Sequence, residues 1–94
     1  VIGTHTHVPT NDARILSNGT AYQTDAGMCG DYNSVIGMNK NNSINRFLKK
    51  KSEKHFPAAG EASLCGVIVN ADIKTGLALK IKSFIFGGDL NKEL

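Results

Sequence analysis

The sequence lacks several features that define common protein classes. It contains no tryptophan, only two prolines, and 6% aromatic residues in 94 positions. A core made by this chain alone would therefore depend mainly on isoleucine, leucine and valine. No apolar run approaches the roughly 20 residues that a membrane-spanning helix needs, and no basic stretch followed by an apolar one marks a secretory signal. We therefore expect a cytoplasmic protein without a membrane partner.

Cysteine is scarce, and its placement excludes two further classes. Cys29 and Cys65 lie far apart, and neither belongs to a CxxC motif. A zinc ribbon and a redox dithiol are thereby disfavoured, and thiols in a reducing compartment are expected. Cys65 lies in an apolar run and is assigned to the core. Cys29 lies among glycines without an oriented histidine partner, which favours a buried structural thiol over a nucleophile.

The residues that are present are typical of a globular chain, with 40% hydrophobic and 20% charged residues and a net charge of +3. Much of the positive excess falls in one cluster, Lys49, Lys50, Lys51 and Lys54. So short a cluster is more typical of a solvated helix end than of a nucleic-acid surface. No DNA- or RNA-binding motif accompanies it, and a nucleic-acid partner is disfavoured.

Two β-hairpins are predicted. Asn18 and Gly19 stand between two strand-like runs and indicate a hairpin with a type I′ turn, in which both central residues have positive φ. The near-continuous apolar run from Leu64 to Val69 predicts a strand that is covered on both faces. A turn at residues 72–76 leads from it into a second strand over residues 77–86.

One amphipathic helix is predicted between the hairpins. Apolar residues recur at helical spacing within residues 39–51, and lysines crowd the end, where they suit the helix dipole. Three residues could cap its start: Asn41, Asn42 and Ser43. Residues 25–39 are expected to form a structured loop, and residues 91–94 a frayed terminus. The fold class is therefore α+β, with two β-hairpins and one helix of about three turns.

The strongest chemical signal is the segment Gly3 to His7, which reads Gly-Thr-His-Thr-His. In an extended segment His5 and His7 project to the same side, and neutral imidazole is a common ligand of divalent metals. Thr4 and Thr6 would then face away and hold the loop through hydrogen bonds to the backbone. From the pair alone, a metal site and an ordinary exposed loop are equally open.

Two histidines are too few for a stable metal site, which needs three or four ligands. Five other residues are weak candidates for the same site: Asp12, Asp25, Asp31, Cys29 and His55. For Asp25 and Asp31, capping of the glycine-rich loop is the favoured role. For His55, a position at the end of the helix, where a cation suits the dipole, is favoured.

Over nearly its whole length, the sequence resembles the C-terminal part of a bacterial calcineurin-like metallophosphoesterase family. Members are dinuclear-metal phosphodiesterases whose substrates include 2′,3′-cyclic nucleotides. The resemblance is carried by residues 3–7, 12–16, 18–22, 25–28 and 35–38, by the helix that ends in Arg46-Phe47-Leu48, and by the hairpin at residues 66–76.

The resemblance implies that residues 1–94 are the C-terminal part of an α/β metallophosphoesterase sandwich whose N-terminal part is absent. It implies that His5 and His7 are the family's last two metal ligands, one to each of two divalent ions, with iron or manganese ahead of zinc. The family's other ligands and its proton-donating histidine lie upstream. No catalytic residue is therefore assigned within this chain, and the isolated chain is expected to be inactive.

The implied partner is a phosphodiester substrate such as a cyclic nucleotide. Whether the protein forms a homo-oligomer is left open by the sequence. Two rival hypotheses belong to other classes. One is a small module that binds a metal weakly or binds a partner through its lysine-rich helix. The other is a non-catalytic gene remnant.

Overall fold

The computed structural model describes residues 1–91 and divides into two compact units. The first unit consists of Val1–Met28 and Cys65–Ile85, and the second consists of Cys29–Leu64 with the residues from Phe86 onward. Of the expected frayed terminus, only Asn91 is described, and it ends a short 3-10 turn, Asp89–Asn91. Within residues 1–91, no helix has the length and apolar character to cross a membrane.

The first hairpin is confirmed, but its predicted turn type is wrong. Strand β1 (Arg14–Ile15) pairs antiparallel with strand β2 (Ala21–Tyr22). Leu16 N–H donates to the Thr20 carbonyl at 2.8 Å, so the loop holds three residues, and only its last one, Gly19, has positive φ, at 89°. A three-residue loop that ends in a left-handed glycine is among the next most common hairpin connections after the two-residue turns.

The segment before the histidines runs parallel to the continuation of β2. Ile2 forms a parallel bridge with Gln23, and the Gly3 N–H donates to the Gln23 carbonyl at 3.0 Å. A Cβ atom on Gly3 would collide with the backbone carbonyl of Thr24. Only glycine fits there, so this close backbone approach sets the point from which the histidine segment departs.

The second hairpin is confirmed, whereas the predicted cover of its first strand is not found in the described chain. Strand β3 (Leu64–Ala71) and strand β4 (Ala78–Phe86) form a two-stranded sheet. The Asp72 carboxylate accepts the N–H of Lys74 at 2.7 Å and so closes the expected turn. Apolar side chains of β3, among them Ile68 and Val69, are exposed.

Helix α1 (Lys40–Phe47) is shorter than predicted and has a different cap. The Asn39 side chain, two residues before the first of the predicted caps, accepts the Asn42 N–H at 3.0 Å. The helix ends before the lysine cluster, because Leu48 closes it and Lys49 has φ 58°. The lysines therefore lie in the loop that follows, and the Asn42 amide holds this loop by accepting the Glu53 N–H at 2.8 Å.

Buried residues are few, and most of them are polar. Among the described residues, the buried hydrophobic side chains are Ala21 and Cys65, which confirms the assignment of Cys65 to the core. The buried polar residues are Gln23, Asp25, Asn42 and Ser63. Hydrogen bonds to loop backbone, rather than a large apolar core, therefore organise each unit.

Candidate metal centre

The two histidines share one concave site in the first unit. A cavity of about 280 Å³ is lined by Thr4, His5, His7, Asp25, Gly27 and Met28. The segment around the histidines, which we call the histidine loop (residues 4–8), has no regular secondary structure. The predicted extended conformation is thus wrong, although both rings still border the same cavity. Thr4 also borders it, rather than facing away as expected.

Backbone strain marks both histidines. The φ angle is 143° at His5 and 69° at His7, in the region that side chains other than glycine rarely adopt. Such a conformation costs on the order of 1–3 kcal/mol per residue and persists only where surrounding contacts impose it. Two strained residues two positions apart therefore require a specific restraint between them.

The contact between Thr6 and Asp25 lies between these two histidines. One carboxylate oxygen, Oδ2 of Asp25, accepts both the Thr6 N–H and the Thr6 hydroxyl at 2.7 Å each. The other oxygen, Oδ1, accepts the Gly27 N–H at 2.8 Å. The Thr6 hydroxyl, followed by the Gly27 N–H, holds the pKa of Asp25 below its ordinary value, so this residue is a carboxylate at neutral pH. The predicted capping role of Asp25 is confirmed.

The Thr6 hydroxyl has two acceptors within reach and one proton to give. It lies 2.7 Å from the Asp25 carboxylate and 3.0 Å from the Val8 carbonyl. A hydrogen bond to an ionised acceptor is about twice as strong as a neutral one, so the proton favours Asp25. The hydroxyl oxygen in turn accepts the Val8 N–H at 3.3 Å, and Thr6 thereby holds the loop as predicted.

Asp12, a weak candidate ligand, belongs to a different network in the same unit. It accepts hydrogen bonds from the Thr10 hydroxyl at 2.7 Å and from the Thr24 hydroxyl and N–H. These bonds, led by that of Thr10, lower the pKa of Asp12 from 3.8 to about 2. Asp12 is not among the residues that line the cavity, so the structure does not bring it to the histidines.

The other weak candidates lie in the second unit. Asp31 caps its loop as predicted, because its carboxylate accepts the N–H groups of Asn33 and Gly60, each at 2.9 Å. Cys29 is exposed, so the expectation of a buried thiol is wrong, and both cysteines are thiols without a disulfide.

His55, the remaining weak candidate, lies in the loop after α1 rather than at its end. It borders an apolar groove of about 650 Å³ in the second unit. The groove is lined by Val35, Ile36, Met38, Ser43, Ile44, Phe47, Leu48 and His55. None of the other lining residues is a metal ligand of the histidine, cysteine or carboxylate type, so the groove does not offer His55 a metal site.

The donors at the cavity are two histidines and not a complete set of metal ligands. Within residues 1–91, no group of three or more histidine, cysteine, aspartate or glutamate side chains is arranged to hold a metal ion. Two imidazoles at one cavity, beside the buried anion Asp25, nevertheless form a donor set that suits divalent transition metals. A small α+β chain that presents such a pair has two of the three or four donors that a divalent metal site needs.

Comparison with known proteins defines the family. Residues 1–84 match the model of the YmdB-like protein family, and the chain belongs to that family. It is 43% identical over 89 residues to the 2′,3′-cyclic-nucleotide 2′-phosphodiesterase of Bacillus subtilis (strain 168), a match that covers 95% of this chain and 34% of the relative. The chain therefore spans about a third of the length of that curated relative.

Two solved structures share the fold. One, described as a novel phosphatase of Mycoplasma pneumoniae, superposes with a TM-score of 0.84 at 38% identity, over 98% of this chain and 34% of the other. The second, a hypothetical protein from Thermus thermophilus, gives a TM-score of 0.79 at 36% identity, over 94% of this chain and 34% of the other. The arrangement of hairpins and helix is therefore common to proteins that differ in most of their residues.

Proposed function

We propose that this chain supplies His5 and His7 as metal ligands to a dinuclear-metal phosphodiesterase that hydrolyses 2′,3′-cyclic nucleotides or related phosphodiesters. The complete protein would be a calcineurin-like enzyme, and the present chain would form the C-terminal part of its sandwich. The observation that carries the proposal is the pair of strained histidines at one cavity, in a chain whose relatives include a cyclic-nucleotide phosphodiesterase.

Each histidine would hold one metal ion through a ring nitrogen, and the chain's other groups would keep the rings in place. Asp25 restrains the histidine loop through Thr6, and its negative charge favours cations in the adjacent cavity. Gly27 lines the cavity without a side chain, and its N–H orients the carboxylate. When bound, two divalent ions supply charge that stabilises phosphoryl oxygens and lowers the pKa of water.

The reaction is the addition of water across one phosphorus–oxygen bond. For a 2′,3′-cyclic nucleotide and a 2′-phosphodiesterase, the bond to the ribose O2′ breaks and a 3′-phosphate remains. The leaving O2′ must take up a proton, and no residue of this chain is assigned to supply it. Iron or manganese is proposed ahead of zinc, and a cytoplasmic location is proposed on the basis of the two thiols.

The proposal is tested in the full-length gene product by replacing each histidine in turn. His5→Ala and His7→Ala should lower the metal content, and they should reduce manganese-dependent hydrolysis of 2′,3′-cyclic AMP by more than about 100-fold, since even outer-shell changes cost 10- to 100-fold. The folded state should survive, because the histidine loop holds no regular element.

His55→Ala is the control, because this third histidine borders the apolar groove instead of the cavity. It should keep both metal content and turnover. Full metal content and activity in His5→Ala and His7→Ala, or their loss in His55→Ala alone, would show that the ligand assignment is wrong.

A further inference from the structure

Thr6, the residue between the two histidines, is fastened to the rest of the unit through Asp25. Thr6 gives two hydrogen bonds to one oxygen of Asp25, whereas its neighbours on both sides adopt backbone conformations that glycine favours. His5 and His7 are the direct neighbours of Thr6 in the chain. The direction of both imidazole rings therefore depends on where Thr6 is held.

Asp25 is a fixed point because its own backbone is anchored independently of the histidine loop. Its N–H donates to the Thr10 hydroxyl at 2.9 Å, and its carbonyl accepts the Gln23 side-chain amide at 2.8 Å and the Thr10 N–H at 3.1 Å. Gln23 is itself fully buried. The carboxylate therefore imposes a position on Thr6, and the histidine loop adapts to it.

The carboxylate has little capacity left to act as a ligand itself. An ionised carboxylate offers about four acceptor positions, and in Asp25 three of them are taken by Thr6 and Gly27. The residue is only 1% exposed. A group that is buried and bonded in this way acts through its hydrogen-bond partners.

We propose that Asp25 is a positioning residue of the metal centre, which holds His5 and His7 in their strained backbone conformations by binding Thr6 between them. The inference rests on the proposed role of the two histidines as metal ligands. In this proposal, the hydrogen bonds between Asp25 and Thr6 position the two histidine ligands, and neither residue contacts the metal.

The test is the affinity of the full-length protein for Mn²⁺, measured by titration of the metal-free form. Asp25→Asn keeps the shape but turns an N–H group toward the N–H of Thr6 or Gly27. Thr6→Val keeps the shape and removes only the hydroxyl. Both variants should raise the dissociation constant for Mn²⁺ by about 10- to 100-fold, the usual effect of groups that orient metal ligands. Thr6→Ser keeps the hydroxyl and should bind Mn²⁺ with an affinity close to that of the wild type.

The matched control is Asp31→Asn. Asp31 caps a loop of the second unit through the same kind of bond, from its carboxylate to the N–H groups of Asn33 and Gly60. We expect Asp31→Asn and Asp25→Asn both to lower the melting temperature. Asp31→Asn should leave the affinity for Mn²⁺ unchanged. A purely structural role of Asp25 would make the two variants alike in both measurements.

Unchanged Mn²⁺ affinity in Thr6→Val and Asp25→Asn, with metal lost from His5→Ala and His7→Ala, would overturn the positioning role and leave the proposed function intact. Retention of metal in the histidine variants would instead overturn both. If Asp25→Asn does not fold, Thr6→Val decides the matter, since Thr6 is exposed and its replacement leaves the packing unchanged.

Discussion

The histidine loop and the apolar groove each hold non-glycine residues at positive φ, and they do so by different means. In the histidine loop, the buried carboxylate of Asp25 restrains the strained segment from outside. At the groove, Ile36 has φ 48° and the next residue, Gly37, has φ 95°. Both lie in a tight turn that is held by two backbone hydrogen bonds between Val35 and Met38, at 2.9 and 3.0 Å.

The difference is informative because the side chains presented are opposite in kind. The histidine loop, which is restrained by Asp25, places two polar imidazoles at a small cavity. The turn at Ile36, which is held by its own hydrogen bonds, places an exposed isoleucine in the same groove as Phe47, which is 86% exposed. A left-handed β-branched residue is a true outlier. The first region is therefore organised by charge and hydrogen bonds, and the second by a compact turn that leaves apolar surface uncovered.

The largest expected effect is on the isolated chain of 94 residues. Its described part buries few hydrophobic side chains, notably Ala21 and Cys65, and small domains are marginally stable. We expect no phosphodiesterase activity, strong binding of a hydrophobic dye, and a broad thermal transition. The full-length protein, measured alongside, should melt cooperatively. Metal-dependent turnover by the isolated chain that is abolished by His5→Ala would contradict this, as would a sharp melt.

The packing behind the cavity should be intolerant of added volume. Gly27 has φ 96°, and a Cβ atom there would lie 2.9 Å from that of Cys65. Gly27→Ala should lower the free energy of unfolding by about 2–4 kcal/mol, from strain and overpacking together. Gly76→Ala is the control: φ is also positive, at 73°, but within residues 1–91 an added Cβ would have no atom within 4 Å apart from those of its chain neighbours, so about 1–2 kcal/mol is expected. Equal losses in denaturant titrations would disprove the packing argument.

Acid should weaken the hydrogen-bonded region by way of Asp12. Folding lowers the pKa of Asp12 from 3.8 to about 2, so the folded state favours the carboxylate. Its stabilising contribution is fully present above the unfolded pKa and is lost as the pH falls toward the folded value. Asp12→Asn should therefore flatten the dependence of unfolding free energy on pH between 3.8 and about 2. If unfolding free energy changes with pH equally in the variant and the wild type, the hydrogen bonds of Asp12 do not stabilise the folded state in this way.

The smallest effect is expected in the apolar groove. Phe47→Ala should change the stability of the full-length protein by less than about 0.5 kcal/mol if this side chain is as exposed there as in the described chain. Ile73→Ala is the reference, because Ile73 is 100% exposed in the turn between β3 and β4. A loss of several kcal/mol for Phe47→Ala alone would mean that another part of the protein covers the groove, and the contrast between the two regions would then fail.

The sequence by itself determined the order of the elements and the pair of histidines. Both hairpins and the helix follow from local signals: a turn-forming Asn-Gly pair, a capped turn at Asp72, and apolar residues at helical spacing. These signals act between neighbours in the chain, so they can be read without the fold. The family relationship indicated by residues 3–7 and the segments after them is confirmed to the level of the YmdB-like family, whose model matches residues 1–84.

The tertiary structure alone decided how those elements are used. The turn with two residues at positive φ formed at Ile36–Gly37, where no local preference predicts it, while Asn18–Gly19 adopted a longer loop. The contact that shapes the site joins Thr6 to Asp25 across 19 positions. Bonds between distant residues can hold a backbone conformation that local preference opposes, because a buried carboxylate gains more from several donors than the strained residues lose.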